Sequence, residues 1–303
     1  MRIRRGISLI ELLIAVGILA LLVGLLLAAV QRVRLAAYRV QSANNLRQIA
    51  LGVQQLADKE NGVIKNLLPN NVPCLQQPGG GWFASVPYTS RCIFMDILPW
   101  TYGDVPRMPP NPTPEQREEF SLSPIVPCYV SPADPTLFDR AALDMDGRSA
   151  CSYSYNAQAL RDTVSLPASI SDGMSNTISF TERYAHCRIQ GFRELQNWDL
   201  GSPPHGPAPY RTIRRASFAD PSAYDIYPIL DFAGHTVASQ PGRTFQVRPR
   251  LDQSDGKLPQ TPYEGGLLVS FFDGSVRTIR AGVSESSFWG MVTPAGGEVI
   301  IDD

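Results

Sequence analysis

Glu11 is the one charged side chain in the 24 residues from Ile7 to Val30, a run otherwise apolar or small. A carboxylate in such a run needs a cation beside it, because an isolated charge in a membrane helix costs several kcal/mol. Arg4 and Arg5, snorkelling back to an interface, are one source of that cation. Other chemistry-bearing residues are sparse. His186, His205 and His235 are the only histidines, and none stands in an HExxH pair or near a GxSxG elbow. Cys187 with His235 as its base would have to be joined by the fold, since nothing in the local sequence joins them. No enzyme activity is expected.

The five cysteines, Cys74, Cys92, Cys128, Cys151 and Cys187, make no CxxC and no Cys/His metal spacing, which argues against zinc. Outside the cytoplasm, Cys74, Cys92, Cys128 and Cys151 are candidates for two disulfides, with pairing that sequence does not choose. Buried thiols are the equal alternative. Asp172-Gly173 and Asp273-Gly274 read as turns, the second as a hairpin tip between FF and SVRTI. Asp134, Asp144 and Asp146 are too scattered for a calcium loop. Neither metal nor cofactor is expected. Trp82, Phe83, Tyr88, Trp100 and Tyr102 could stack on carbohydrate or another subunit, but core packing is the default. A net charge of -1 and a pI near 6.3 argue against nucleic acid as a partner.

The element that must position Glu11 is a helix. Twenty-four apolar residues make about 36 Å of helix, enough to cross a hydrocarbon core of about 30 Å. The run is longer than a secretory signal's apolar region and lacks a clear Ala-x-Ala exit. Ala20, Gly24 and Ala28 recur every fourth residue, a stripe that would let a second helix approach closely. Beyond Val30 the apolar residues Val33, Ala36, Val40, Ala43, Leu46, Ala50, Val53 and Ala57 step by three or four, so an amphipathic half continues the same helix until Asn61-Gly62 stops it. After it, short apolar runs at 91–98, 152–156, 177–182, 243–248 and 265–280 predict strands. Stretches 106–114 and 202–209 read as extended loops.

Arg2, Arg4, Arg5 and Gly6 followed by Ile-Ser-Leu-Ile-Glu resemble the type III signal of type IV pilins and type II secretion pseudopilins. The patches RVRLAAYRVQSANNLRQIALGV, ILPW, PCYVSPADP, SDGMSNTISFTE and FFDGSVRTI resemble the pilin-like DUF1559 family, whose C-terminal signature is H-X9-DG. The chain departs from that pattern at three places. Tyr263 stands where the signature has histidine, Ser42 where relatives often have cysteine, and Ala28 where they often have proline.

The resemblance implies an α+β, pilin-like fold: a long N-terminal helix, its front half membrane-spanning, packed on an antiparallel sheet with long irregular loops. It implies a leader at 1–6, a transmembrane helix at 7–30, an amphipathic continuation at 31–58 and an extracytoplasmic pilin-like domain at 59–303. A prepilin peptidase would cut between Gly6 and Ile7 and methylate the new amino terminus, and Glu11 would serve assembly by pairing with that ammonium in a neighbouring subunit. The implied partners are the peptidase, membrane lipid and other pilin-like subunits. Arginines flank the run on both sides, so charge counting does not orient it. The processing motif implies a single-pass protein of the inner membrane with its domain outside, or at the cell surface. Two functions stand side by side: a structural subunit processed and built into an envelope filament, or a membrane-tethered extracytoplasmic binding module that does not polymerise.

Overall fold

The computed structural model describes residues 9–65, 74–76, 82–84, 93–103, 126–137, 150–160, 163–189, 192–197, 211–219, 244–255 and 258–297. Its first element is a single helix, α1 (Leu9–Lys59), 51 residues long. No proline interrupts it, and the two halves of the sequence pattern join without a break. It stops where Asn61 and Gly62 both take positive φ, 53° and 82°. The Gly62 amide turns back to the Ala57 carbonyl at 2.7 Å, which caps the last turn.

Five strands form the main sheet: β1 (Tyr153–Asn156), β2 (Ile178–Glu182), β3 (Ser217–Phe218), β4 (Leu267–Phe271) and β5 (Val276–Ile279). Their order across the sheet is β3-β1-β2-β4-β5. Three neighbouring pairs are antiparallel, but β3 lies parallel to β1. The sheet is therefore mixed rather than purely antiparallel. Some sixty residues separate β1 from β3, which leaves ample chain for the crossover a parallel pair requires. β4 and β5 are the expected hairpin, closed by Asp273-Gly274, with Gly274 at φ 83° and Asp273 Oδ1 accepting the Ser275 amide at 2.8 Å.

Within the stretch 91–98 the described residues, 93–98, are not a strand. Ile93–Asp96 (α2) and Leu98–Thr101 (α3) are short helical turns, with Pro99 in the first turn of α3. Ile93, Phe94, Ile97 and Leu98 are spaced as one helical face, and all four are buried against α1 and the sheet. In so short an apolar run, strand and helix patterns overlap. Of the run 243–248, only Gln246–Val247 forms a strand among the described residues, and it pairs with Gln260–Thr261 in parallel. Stretches 106–114 and 202–209 lie outside the described residues.

The sheet buries both faces, as a two-sided core demands. On one side Leu46, Ile49 and Val53 of α1 pack with Phe94, Tyr153, Tyr155, Phe180 and Leu268. On the other, Leu267, Val269 and Phe271 meet Phe288, Trp289 and Val292 around α4 (Glu285–Gly290). The alternation along β4 between Leu268 and its neighbours Leu267 and Val269 is the period-two pattern of a strand between two layers. Ser284 caps α4 by accepting the Ser287 amide at 3.2 Å.

Candidate functional site

The first buried residue of α1 is Ser42. From Leu9 to Gln41 the helix is bare except for Tyr38 and Arg39, which are half-buried. Leu9, Leu19, Leu25, Val33 and Val40 are all more than half exposed, and around Gly17 and Gly24 there is open space. About 50 Å of helix at 1.5 Å per residue thus stands clear of the domain. Its apolar part, Leu9 to Val30, is long and apolar enough to span a membrane. Glu11 lies in the first turn of α1, on this bare part. Gly6 and Ile7, the expected processing residues, lie outside the described residues. The Ala20, Gly24 and Ala28 stripe faces no other part of the chain among the described residues.

Where the helix enters the domain, its polar residues converge on one carboxylate. Ser42 Oγ donates to Glu182 Oε1 at 2.5 Å and lies 2.8 Å from the Tyr153 hydroxyl. Asn45 Nδ2 donates to the same Tyr153 oxygen and to the Val130 carbonyl, both at 3.2 Å. The single Ser42 proton is committed to Glu182, so Tyr153 must donate to Ser42 and Asn45 to Tyr153. The result is one directed chain, Asn45 to Tyr153 to Ser42 to Glu182, whose members polarise each other. Thr261 Oγ1 reaches the other carboxylate oxygen at 3.3 Å. Glu182, Ser42 and Tyr153 are essentially inaccessible to solvent.

Burial pushes the Glu182 carboxyl up to about 7, against the opposing pull of the Ser42 hydroxyl, the Leu268 amide, Thr261 and the Arg39 charge. Burial likewise holds Tyr153 well above the ordinary phenol range, with the Glu182 charge adding to it. Tyr263 is buried beside Ser131 and Ser42, and its hydroxyl is in hydrogen-bonding geometry with neither. Arg39 covers the mouth of the cluster. Its guanidinium lies 5.5 Å over the Tyr263 ring and its Nη2 donates to Thr278 of β5 at 3.0 Å. Gly265 makes room for it, because a Cβ there would stand 2.6 Å from Arg39 Nη1.

Ser42 and Tyr263 are 221 residues apart in sequence. The structure brings both to Glu182. Sequence reading singled out each of them separately and missed Glu182, whose signal was a lone acid ending an otherwise uncharged strand, TISFTE.

The remaining candidates lie apart. Cys128 and Cys151 are buried thiols that donate to the Thr101 and Tyr153 carbonyls at 3.6 and 3.1 Å. Cys187 is a buried thiol near Gln260 Oε1. Cys92, His205, His235, Tyr88, Asp144 and Asp146 lie outside the described residues, as does the side chain of Cys74. Asp134 is fully buried but structural: its carboxylate accepts from Thr136, Ser152 and the Ala185 amide. Trp100 packs beneath Lys59, whose ammonium lies 5.5 Å from its ring, and Tyr102 is exposed at 49%. Among the described residues no three His, Cys, Asp or Glu side chains are grouped to hold a metal ion. Compared with family models, with curated proteins and with solved structures, the chain finds no match in any of the three.

Proposed function

We propose that the protein is a pilin-like or pseudopilin-like structural subunit of the cell envelope, processed at Gly6–Ile7 and N-methylated by a prepilin peptidase. The observation that carries this reading is the division of α1. Its rear half is an integral part of a folded domain, while its front half is apolar on every side and touched by none of the described domain. A plain anchor needs only the apolar run. A subunit needs a rigid helix shared between bilayer and domain, so that the position of one fixes the other.

In this reading the bare helix packs in the membrane or filament against equivalent helices, with the Ala20, Gly24 and Ala28 stripe allowing close approach. The Glu11 carboxylate meets the ammonium of a neighbouring subunit's Ile7, and each charge removes the other's desolvation penalty. The domain stands on the extracytoplasmic side. Intact-mass and N-terminal analysis of membrane-extracted protein tests the processing: a chain beginning at N-methyl-Ile7 is expected, and a retained 1–6 leader would refute it. Glu11→Val tests assembly, and is expected to leave insertion intact while abolishing oligomer incorporation. If wild type and variant both sediment as monomers from membrane and detergent, the protein is instead a tethered binding module.

A further inference from the structure

We propose that the Glu182 cluster is a proton-operated latch at the root of the bare helix, fastening the top turn of the docked half of α1 when Glu182 is protonated and loosening it when Glu182 is ionised. The placement carries the argument. Ser42 and Asn45 belong to the first buried turn of α1, and from Leu9 to Gln41 every residue except Tyr38 and Arg39 is exposed. Releasing this turn would open its backbone hydrogen bonds to water and fraying, and let the domain swing about the turn below, where Leu46 and Ile49 sit in the apolar core.

The carboxylate has few ways to relieve its charge. From α1 it faces Arg39 and Ser42; from β1, Tyr153; from β4, the Leu268 amide; from the segment before β4, Thr261 and Tyr263; and Tyr184 lies within its field. Arg39 is the only cation in that set, and it is turned toward Thr278 and the Tyr263 ring rather than paired with Glu182. The ionised form therefore keeps a charge in the interior with no cation paired to it, whereas the neutral form carries none and still accepts from Ser42 while its own O–H turns to Thr261 Oγ1, which donates to the Gly266 carbonyl. Burial raising the carboxyl to about 7 places the change within the pH range of an envelope compartment. Hydrating an ionised Glu182 requires opening one of its walls, and the wall at the edge of the fold is the α1 turn carrying Arg39 and Ser42.

Amide hydrogen exchange on the full chain in detergent micelles tests the latch, with residues 38–46 compared against 49–57 and rates corrected for intrinsic pH dependence. In wild type the protection of 38–46 is expected to fall by up to tenfold per pH unit from about pH 5 to 7 and then level off, as linkage to one proton requires. Glu182→Gln, neutral at every pH, is expected to hold that protection constant. Arg39→Gln is expected to move the levelling-off point to higher pH, since Arg39 favours the ionised form; a loss of mere packing would not move it. Protection independent of pH in wild type, or the same pH profile in Glu182→Gln as in wild type, overturns the proposal. Should Glu182→Gln not fold, an unmoved break point in Arg39→Gln overturns it equally.

Discussion

Ile49 and Val40 are the sharpest pair with which to separate docking from display on α1. Both are β-branched residues of the same helix, yet Ile49 is wholly buried and Val40 is 62% exposed. Ile49→Ala removes three buried carbons. At about 0.8 kcal/mol per methylene the transfer loss alone is about 2 kcal/mol, and the cavity left between α1 and the sheet brings the expected cost to about 3–4 kcal/mol. Val40→Ala removes two methyls that are mostly in water already. The loss, about 0.5 kcal/mol, is offset by the better helix propensity of alanine, so the net change is expected to be about zero. Urea unfolding in mild detergent, followed by tryptophan fluorescence, reads the domain through Trp100 beside one core and Trp289 in the other. The midpoint should drop sharply for Ile49→Ala at unchanged m-value, and stay put for Val40→Ala. A loss above about 1.5 kcal/mol for Val40→Ala, well beyond the partial burial of two methyls, would refute the reasoning, because it would place the supposedly bare turn inside the folded domain.

Two further outcomes follow from the same contacts. Glu182 is fully buried with its carboxyl raised from 4.5 to about 7, so its contribution to stability is fully present below the unfolded value and is lost as pH rises through the folded one. The window from about pH 4.5 to 7 should cost about 3 kcal/mol in denaturant midpoints, and Glu182→Gln should remove most of that slope, leaving the part owed to Asp134, which burial raises in the same direction. Gly266→Ala should destabilise by at least about 2 kcal/mol in thermal melts, because the site has φ 115° and its Cβ would fall 2.0 Å from the Ile279 carbonyl oxygen. Gly282→Ala, with open space around it, should leave the midpoint unchanged.

The long helix was legible because its pattern persists over many turns: the apolar run and the three-four stepping of Leu46, Ala50, Val53 and Ala57 admit one reading. The same stepping predicted Val33, Ala36 and Val40 as part of the docked face, and these are exposed. Periodicity marks which side of a helix is apolar, but not where a partner surface begins. The hairpin at 267–279 was legible through its Asp-Gly turn. The run 91–98 was not, since so short an apolar stretch does not separate the two periods; burial of Ile93, Phe94, Ile97 and Leu98 in one core, with Phe94 edge-on to Tyr129 and Phe180, goes with the helical one. Glu182 showed only as a lone acid ending a strand, because its importance is a matter of distance. Ser42 is 140 residues away in sequence, and no local pattern reports that a hydroxyl will arrive at one particular carboxylate.

A purely apolar junction would hold α1 more cheaply than this one does. Leu46, Ile49 and Val53 form ridges that pack by shape, and such ridges tolerate rotation, or a slip of one turn, about 5.4 Å, at modest cost. The chain from Asn45 through Tyr153 and Ser42 to Glu182 does not tolerate it. A slip would take the Ser42 hydroxyl from the buried carboxylate and both Ser42 and Asn45 from the buried phenol, each at a cost in desolvation. The polar cluster thus trades stability for register. It stands at the first docked turn, where an error in register is carried undiminished up about 50 Å of bare helix and becomes an error in where the domain sits. Arg39, folded over Tyr263 into the space that Gly265 leaves, closes the same turn from outside. Any arrangement of these helices side by side needs every domain to leave its helix at the same height and azimuth. The residues that can enforce this are the ones whose hydrogen bonds exist in a single register.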